Sequence, residues 1–345
     1  MINVLIVEDS SVARDLITYI LKSDKNINVL GAVKNGMEAI DFIEVQKPDV
    51  ITMDINMPVM NGIEATKIIM RTNPVPIIVV SSNWNSKDVE DSFNALQIGA
   101  VAIAEKPVGF EHSRFNTVAE NLLQMIRLMS EIRVVKRTFP GIPGRNKQLQ
   151  KTFDNTSEIV KIICIGASTG GPVVIESILS NLAVPFNIPI VIVQHIMAGF
   201  VEGFVEWLNH SSKVKVKLAE QGEEIKNNFC YVAPDGYHLT ISVDRKIYLQ
   251  NKAPVNGLKP SVSSMFDSVL ESFGKGCLAI LLSGMGKDGA LELKKLKNAG
   301  ATTIVQDKES AVVYGMPGEA VKLDAASYIY TPGEIVTYLN GIASL

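Results

Sequence analysis

From its first residues the chain alternates short apolar runs with amphipathic stretches. INVLIV, NVLGAV, DVITM, VPIIVV and VAIA each precede a helical pattern such as VARDLITYILK or GIEATKIIMR. Strand alternating with helix predicts an α/β fold with a parallel, doubly wound sheet. After about residue 110, Val118, Leu122, Met125, Met129 and Ile132 recur at spacings of four and three, which places them on one helix face. That helix closes a first domain, assigned to residues 1–125, and is free to run past it. Residues 126–158 read as a linker. Its stretch RVVKRTFPGIPGRNKQLQKTFDNTS replaces apolar periodicity with prolines, glycines and the basic side chains Arg133, Lys136, Arg137, Arg145 and Lys147. A solvated tether is the expectation, with binding to an acidic surface as the alternative. A second alternation fills residues 159–345, from IVKIICIG through NIPIVIVQ, VKVKLA, NFCYVA, KIYLQ, CLAILLSG and ATTIVQ to ASYIY.

Composition agrees with two globular domains. The chain has 345 residues, against a prior of roughly 150 per domain, and its 47% apolar and 20% charged residues exclude a disordered or fibrous protein. A formal charge of −3 gives no reason to expect nucleic acid or anionic lipid over the whole surface. Cys164, Cys230 and Cys277 stand far apart, in neither a disulfide framework nor a zinc-ligand spacing, which fits reducing cytoplasm. The N-terminus lacks a basic leader and no apolar run approaches the roughly 18 residues of a spanning helix, so membrane insertion and export are not expected.

Chemistry-bearing residues collect where predicted strands end. Glu8 and Asp9 follow the first strand and Asp54 the third, while Ser81 ends the fourth and Lys106 the fifth. In an open parallel sheet that edge is where ligands bind. Several hard carboxylate oxygens suit Mg2+, and an ammonium with a hydroxyl suits phosphoryl oxygens. Taken singly each acid has a plainer reading, and Asp9 before SSVAR is a possible helix N-cap. The stretches VEDS, MDINMPVMNG, VVSS and EKP together resemble a two-component receiver domain of flavodoxin-like fold with a five-stranded parallel sheet. The resemblance implies that Asp54 accepts phosphate from a histidine kinase and that Glu8, Asp9 and Asp54 hold Mg2+. It also implies that Ser81 and Lys106 contact the phosphoryl group and that the peptide before Pro107 is cis.

In the second half, CIGASTGGPVVIESIL reads as strand, glycine-rich turn and helix, with Ser168 at the turn. The glycines do not make the Rossmann fingerprint and no Gly-Lys-Ser/Thr follows, whereas residues 166–170 do make G-x-S-x-G. His195 follows the strand IPIVIVQ and Asp288 lies just after CLAILLSGMG, so a serine, a histidine and an aspartate face one crevice. In the functional reading His195 takes the proton of Ser168, Asp288 holds the imidazole, and Ser168 attacks an acyl carbon. Backbone N–H groups after Ser168 and in the Gly284–Gly286 turn are then oxyanion donors. The alternative makes Ser168 and Asp288 helix caps and His195 a hydrogen-bonded loop residue. The chain order serine, histidine, aspartate separates this arrangement from the α/β-hydrolases.

IGASTGGP, VQHI, APDGYHL, KPSVSSMF, LLSGMGKDGA and VQDKESAVVYGMP are similar to the CheB methylesterase family, and with the receiver in front the resemblance spans about residues 1–340. It implies the triad Ser168, His195 and Asp288, with the Met285 N–H at the oxyanion. The implied reactions are hydrolysis of glutamate methyl esters and deamidation of glutamines on chemoreceptor cytoplasmic helices, with no cofactor for the esterase chemistry. Ala198 and Ser263 depart from the family pattern, where a proline and an acid are usual, which puts fine substrate preference in doubt. His238 is expected to pack against its strand and Cys164 to be buried and inert. The unphosphorylated receiver is expected to cover the catalytic face until phosphorylation loosens it. Two rival functions remain: a switch whose output domain only binds a partner, and a phosphoregulated esterase for a small metabolite.

Overall fold

The computed structural model describes residues 1–81, 86–132, 134 and 160–343. The basic linker residues lie outside them. The chain divides into two compact units, Met1–Lys151 and Thr152–Leu345.

In the first unit the elements run β1 (Ile2–Val7), α1 (Ser11–Lys22), β2 (Ile27–Val33), α2 (Gly36–Val45), β3 (Val50–Met53), α3 (Gly62–Thr72), β4 (Ile77–Ser81), α4 (Ser86–Ile98), β5 (Ala102–Glu105) and α5 (Phe115–Met129). All five strands are parallel, in the order β2-β1-β3-β4-β5. The central strands β3 and β4 are buried throughout, which is why they read as continuous apolar runs. Helices start where a polar side chain can take an orphan N–H: Asn35 accepts from Glu38 N and Asn61 from Glu64 N. The cap of α1 is Ser10, not Asp9, which stays exposed. Helix α5 carries on past residue 125, and its buried face is Val118, Leu122, Leu123, Ile126 and Met129, with Met125 only half-buried.

The second unit continues with β6 (Ile162–Ala167), α6 (Gly171–Ser180), β7 (Ile190–Gln194), α7 (Val201–Ser211), β8 (Lys215–Leu218), β9 (Phe229–Val232), β10 (His238–Ile241), β11 (Ile247–Gln250) and α8 (Val262–Phe273). It ends with β12 (Cys277–Leu281), α9 (Ala290–Asn298), β13 (Thr302–Gln306), α10 (Met316–Lys322), β14 (Tyr328–Tyr330) and α11 (Pro332–Ala343). Seven strands form one parallel sheet in the order β14-β13-β12-β6-β7-β9-β8. The stretch KIYLQ does not join it: as β11 it pairs antiparallel with β10, a strand the apolar pattern did not reveal. Beside β6 the strand order reverses, since β7 lies on one side and β12 on the other. A crevice therefore opens at the carboxyl ends of these three strands. Among the described residues no helix is long and apolar enough to cross a membrane.

Candidate active site and phosphoacceptor site

The sheet register builds the crevice. Ala167 pairs with Gln194 across β6 and β7, so the next residues, Ser168 and His195, leave the sheet side by side. Hydrogen bonds continue the ladder: His195 N donates to Ala167 O (2.9 Å) and Ser168 N to Ser283 O (3.0 Å). After Ser168 the chain turns sharply, with Gly170 at φ +81° and Gly171 N closing on Ser168 O at 2.8 Å. The left-handed conformation at 170 is one that glycine alone adopts without penalty. Because Gly170 occupies the N-cap of α6, Ser168 is not a cap.

Asp288 is not a cap either, for the N-cap of α9 is Gly289. Its carboxylate is 2% exposed and lies on the N-terminus of α8. Oδ1 accepts from Ser261 Oγ (2.9 Å) and Ser263 N (3.1 Å), and Oδ2 from Val262 N at 2.7 Å. His195 Nε2 lies 3.0 Å from Oδ2. Burial alone pushes the Asp288 carboxyl up, but the imidazole, with the Ser263 and Val262 donors, outweighs it and brings it down to about 2. A carboxylate fixed this way orients the imidazole, with Nε2 as the proton-bearing nitrogen. His195 Nδ1 has no partner among the described residues, and the Ser168 hydroxyl makes no hydrogen bond to it. The structure thus joins histidine to aspartate and places the serine beside them, with the serine–histidine bond unmade.

Gly284 packs against Ser168: a Cβ there would lie 2.8 Å from Ser168 Cβ and 2.4 Å from Met316 Sδ. Its N–H donates to Val313 O (3.0 Å), so it is not an oxyanion donor. The N–H groups of Met285, Thr169 and Gly170 make no hydrogen bond among the described residues and remain available.

The hold of Ser261, Val262 and Ser263 on Asp288 was not legible in sequence, although KPSVSSMF stands out as a motif. Ser263 proves to sit beneath the aspartate: besides its N–H bond, its hydroxyl donates to buried Glu292 Oε2 (2.6 Å) and accepts from Gly289 N (3.0 Å). Its departure from the family pattern therefore touches the support of Asp288. Ala198 is exposed in the turn before α7, and nothing in the structure explains its departure. His238 is buried and bonded to Ala253 O and Ser264 Oγ, a packing role. Burial and the adjoining Cys277 thiol push Cys164 well above the usual thiol range, so it is no nucleophile.

In the first unit, the strand ends bring Glu8, Asp9, Asp54 and Lys106 together. Lys106 Nζ lies 2.9 Å from Glu8 Oε2 and 3.0 Å from Asp54 Oδ2. Ile55 N donates to Asp54 Oδ1 at 2.8 Å. Ser81 is buried in register with Glu105, and its carbonyl accepts from Lys106 N at 2.9 Å. Burial, then repulsion from Asp54, raises the Glu8 carboxyl; burial raises Asp54 against the pull of Lys106. Burial lowers Lys106, but the two acids outweigh it and hold its ammonium above the usual range. The peptide before Pro107 is trans, against expectation; among the described residues the cis bonds are Val184–Pro185 and Lys259–Pro260. Trans is the favoured isomer by about 0.5–1 kcal/mol for an X-Pro bond.

The donor set fits a hard divalent cation. One oxygen each from Glu8, Asp9 and Asp54 lies within 4.8 Å of the others. Glu8 Oε2 is buried with no hydrogen bond, only the ion-pair contact with Lys106. Burial disfavours the charged forms of Glu8 and Asp54, and a dication bound between them would relieve that cost.

Residues 163–339 match the family described as CheB methylesterase, and residues 4–114 match the response regulator receiver domain. A protein-glutamate methylesterase/protein-glutamine glutaminase of Syntrophus aciditrophicus is 45% identical over 99% of both chains. One of Geobacter metallireducens is 44% identical, again over 99% of each. Among solved structures, the CheB methylesterase catalytic domain of Thermotoga maritima is 37% identical with a TM-score of 0.51, covering 53% of this chain and 98% of that one. The six catalytic-half motifs, the sheet that presents them and these relatives agree: the chain belongs to the CheB methylesterase family, with a response regulator receiver domain at its N-terminal side.

Proposed function

We propose that the chain hydrolyses glutamate methyl esters, and deamidates glutamines, on the cytoplasmic helices of chemoreceptors during chemotactic adaptation, under the control of phosphorylation at Asp54. The observation that carries the reading is the pairing of buried Asp288 with His195 at the switch point of the sheet, where His195 and Ser168 leave neighbouring strands.

In this mechanism Ser168 Oγ attacks the ester carbonyl while His195 Nδ1, the ring nitrogen left over by Asp288, takes its proton. The serine–histidine bond forms as substrate seats, since such bonds often tighten only in the complex. The Met285 N–H, with Thr169 N–H beside it, binds the developing oxyanion. The tetrahedral adduct collapses to an acyl-serine as His195 returns the proton to the leaving methoxide, releasing methanol. Water, deprotonated by the same imidazole, then attacks the acyl-serine to give glutamate and free Ser168. A glutamine follows the same course with ammonia leaving. No cofactor enters this cycle.

In the receiver, a histidine kinase donates the phosphoryl group and an Asp54 carboxylate oxygen attacks phosphorus. Glu8, Asp9 and Asp54 would hold Mg2+, which neutralises charge on the transferring group when bound. Lys106 meets the phosphoryl oxygens with its ammonium and Ser81 with its hydroxyl. These substrates place the enzyme in the cytoplasm.

Methanol release from methylated receptor membranes tests the proposal. Wild-type chain releases methanol, and Ser168→Ala lowers the rate at least about 1000-fold. Equal, negligible release from both proteins would leave a partner-binding output domain. Serine-dependent turnover of small esters alone would favour a metabolite esterase.

A further inference from the structure

Gln194, the last residue of β7, is 3% exposed. Its amide Nε2 donates to two main-chain carbonyls at once, Ser168 O at 2.9 Å and His195 O at 2.8 Å. An NH2 group has two hydrogens, so both are committed to the backbones of these two residues. The Oε1 atom is buried with no hydrogen-bond partner among the described residues. It faces Gly171, where an added Cβ would lie 2.5 Å from it. Turning the amide over would set its oxygen against two carbonyl oxygens, so its orientation is fixed.

Stability does not account for such a residue. A buried acceptor left unpaired is costly, and an apolar side chain of the same volume would fill the space without one. What the amide adds is a link that the sheet does not supply. The β6–β7 ladder pairs Ala167 with Gln194 and its last bond runs from His195 N to Ala167 O at 2.9 Å, so Ser168 itself is not tied to His195 by it.

We propose that Gln194 is a positioning residue, a clamp that holds the backbones of Ser168 and His195 at one separation so that Nδ1 and Oγ meet when substrate seats. The inference rests on the reading of these two residues as base and nucleophile. Small misplacements of reacting groups are expensive, on the order of 100-fold in rate for about 1 Å.

Two variants of the full chain test it. Gln194→Met fills the volume with no donor. Gln194→Glu keeps the shape but sets a carboxylate against both carbonyls, and a buried carboxyl that takes up a proton regains one donor. Methanol release is measured against concentration of methylated receptor, at a temperature where circular dichroism shows each variant native. Gln194→Met lowers kcat about 10- to 100-fold with KM within about threefold of wild type. The kcat of Gln194→Glu relative to wild type rises as pH is lowered from about 8 to about 6. Wild-type kcat in Gln194→Met, beside an inactive Ser168→Ala, overturns the clamp alone. So does a loss that tracks only the fraction unfolded. Turnover by Ser168→Ala overturns the serine reading and the clamp's role with it.

Discussion

Asp288 shows how a single side chain is made dependable. Three donors from the start of α8 and the imidazole of His195 saturate a carboxylate that burial alone would neutralise. Its carboxyl lies near 2 in the fold against about 3.9 in an unfolded chain, and a group whose pKa is depressed on folding stabilises the fold above its unfolded value. That contribution, roughly 2–3 kcal/mol, is complete above about pH 4 and is lost as pH falls through about 2. Asp288→Asn removes this share of the acid-unfolding slope, which titration followed by circular dichroism measures. At neutral pH the same variant lowers kcat about 1000-fold or more, because an amide sets its own donors against N–H groups and no longer fixes the Nε2–H tautomer. Ser168, His195 and Asp288 were each legible from their places after apolar strands. Their support was not: the Ser261, Val262 and Ser263 donors lie about 25 residues before Asp288 in sequence, and two of them are backbone groups with no side-chain signature. Gln194 was hidden in another way, as one polar residue closing an apolar strand.

At the scale of elements, α8 does two jobs with one terminus. Its N-cap, Ser261, accepts from Ser264 N at 3.4 Å and donates to Asp288 at 2.9 Å, so the partial positive charge of the helix start faces the carboxylate. Ser261→Ala removes cap and donor together. The expected loss is about 1–2 kcal/mol, read as a fall of about 2–8 °C in the melting of the second unit, with kcat down about 3- to 10-fold. Ser261→Thr, which keeps the hydroxyl, restores both; melting and turnover unchanged in the alanine variant would mean that the helix start alone holds Asp288. Strand positions were well forecast because parallel strands buried on both faces read as apolar runs. The β10–β11 hairpin escaped for the opposite reason: β10 is four residues long and opens on a buried histidine, and antiparallel pairing within so short a segment leaves no run to see. Helix α5 was found but its face was read too narrowly, since Leu123 and Ile126 also turn inward.

For the whole molecule, the chain joins a response regulator receiver unit to a CheB methylesterase unit, and the value of that union lies in coupling. Phosphate at Asp54 would replace a carboxylate shared with Lys106 by a larger dianionic group, which changes the charge facing Lys106. Such a change raises turnover at Ser168 only if the two phosphorylation states of the receiver affect the catalytic unit differently, and coupling of this kind typically amounts to about 5- to 150-fold. With acetyl phosphate and Mg2+, methanol release by the full chain should rise by at least about fivefold. Asp54→Asn should keep the basal rate and lose the increase, and chelation of Mg2+ should abolish the increase without touching the basal rate, because the proposed esterase cycle uses no metal. A chain beginning near Glu158 retains the whole segment that matches the catalytic family. If the receiver restrains the enzyme, this truncation turns over as fast as the phosphorylated full chain and ignores acetyl phosphate. A truncation no faster than the unphosphorylated chain, alongside a full chain that still responds, would instead make the phosphorylated receiver an activator.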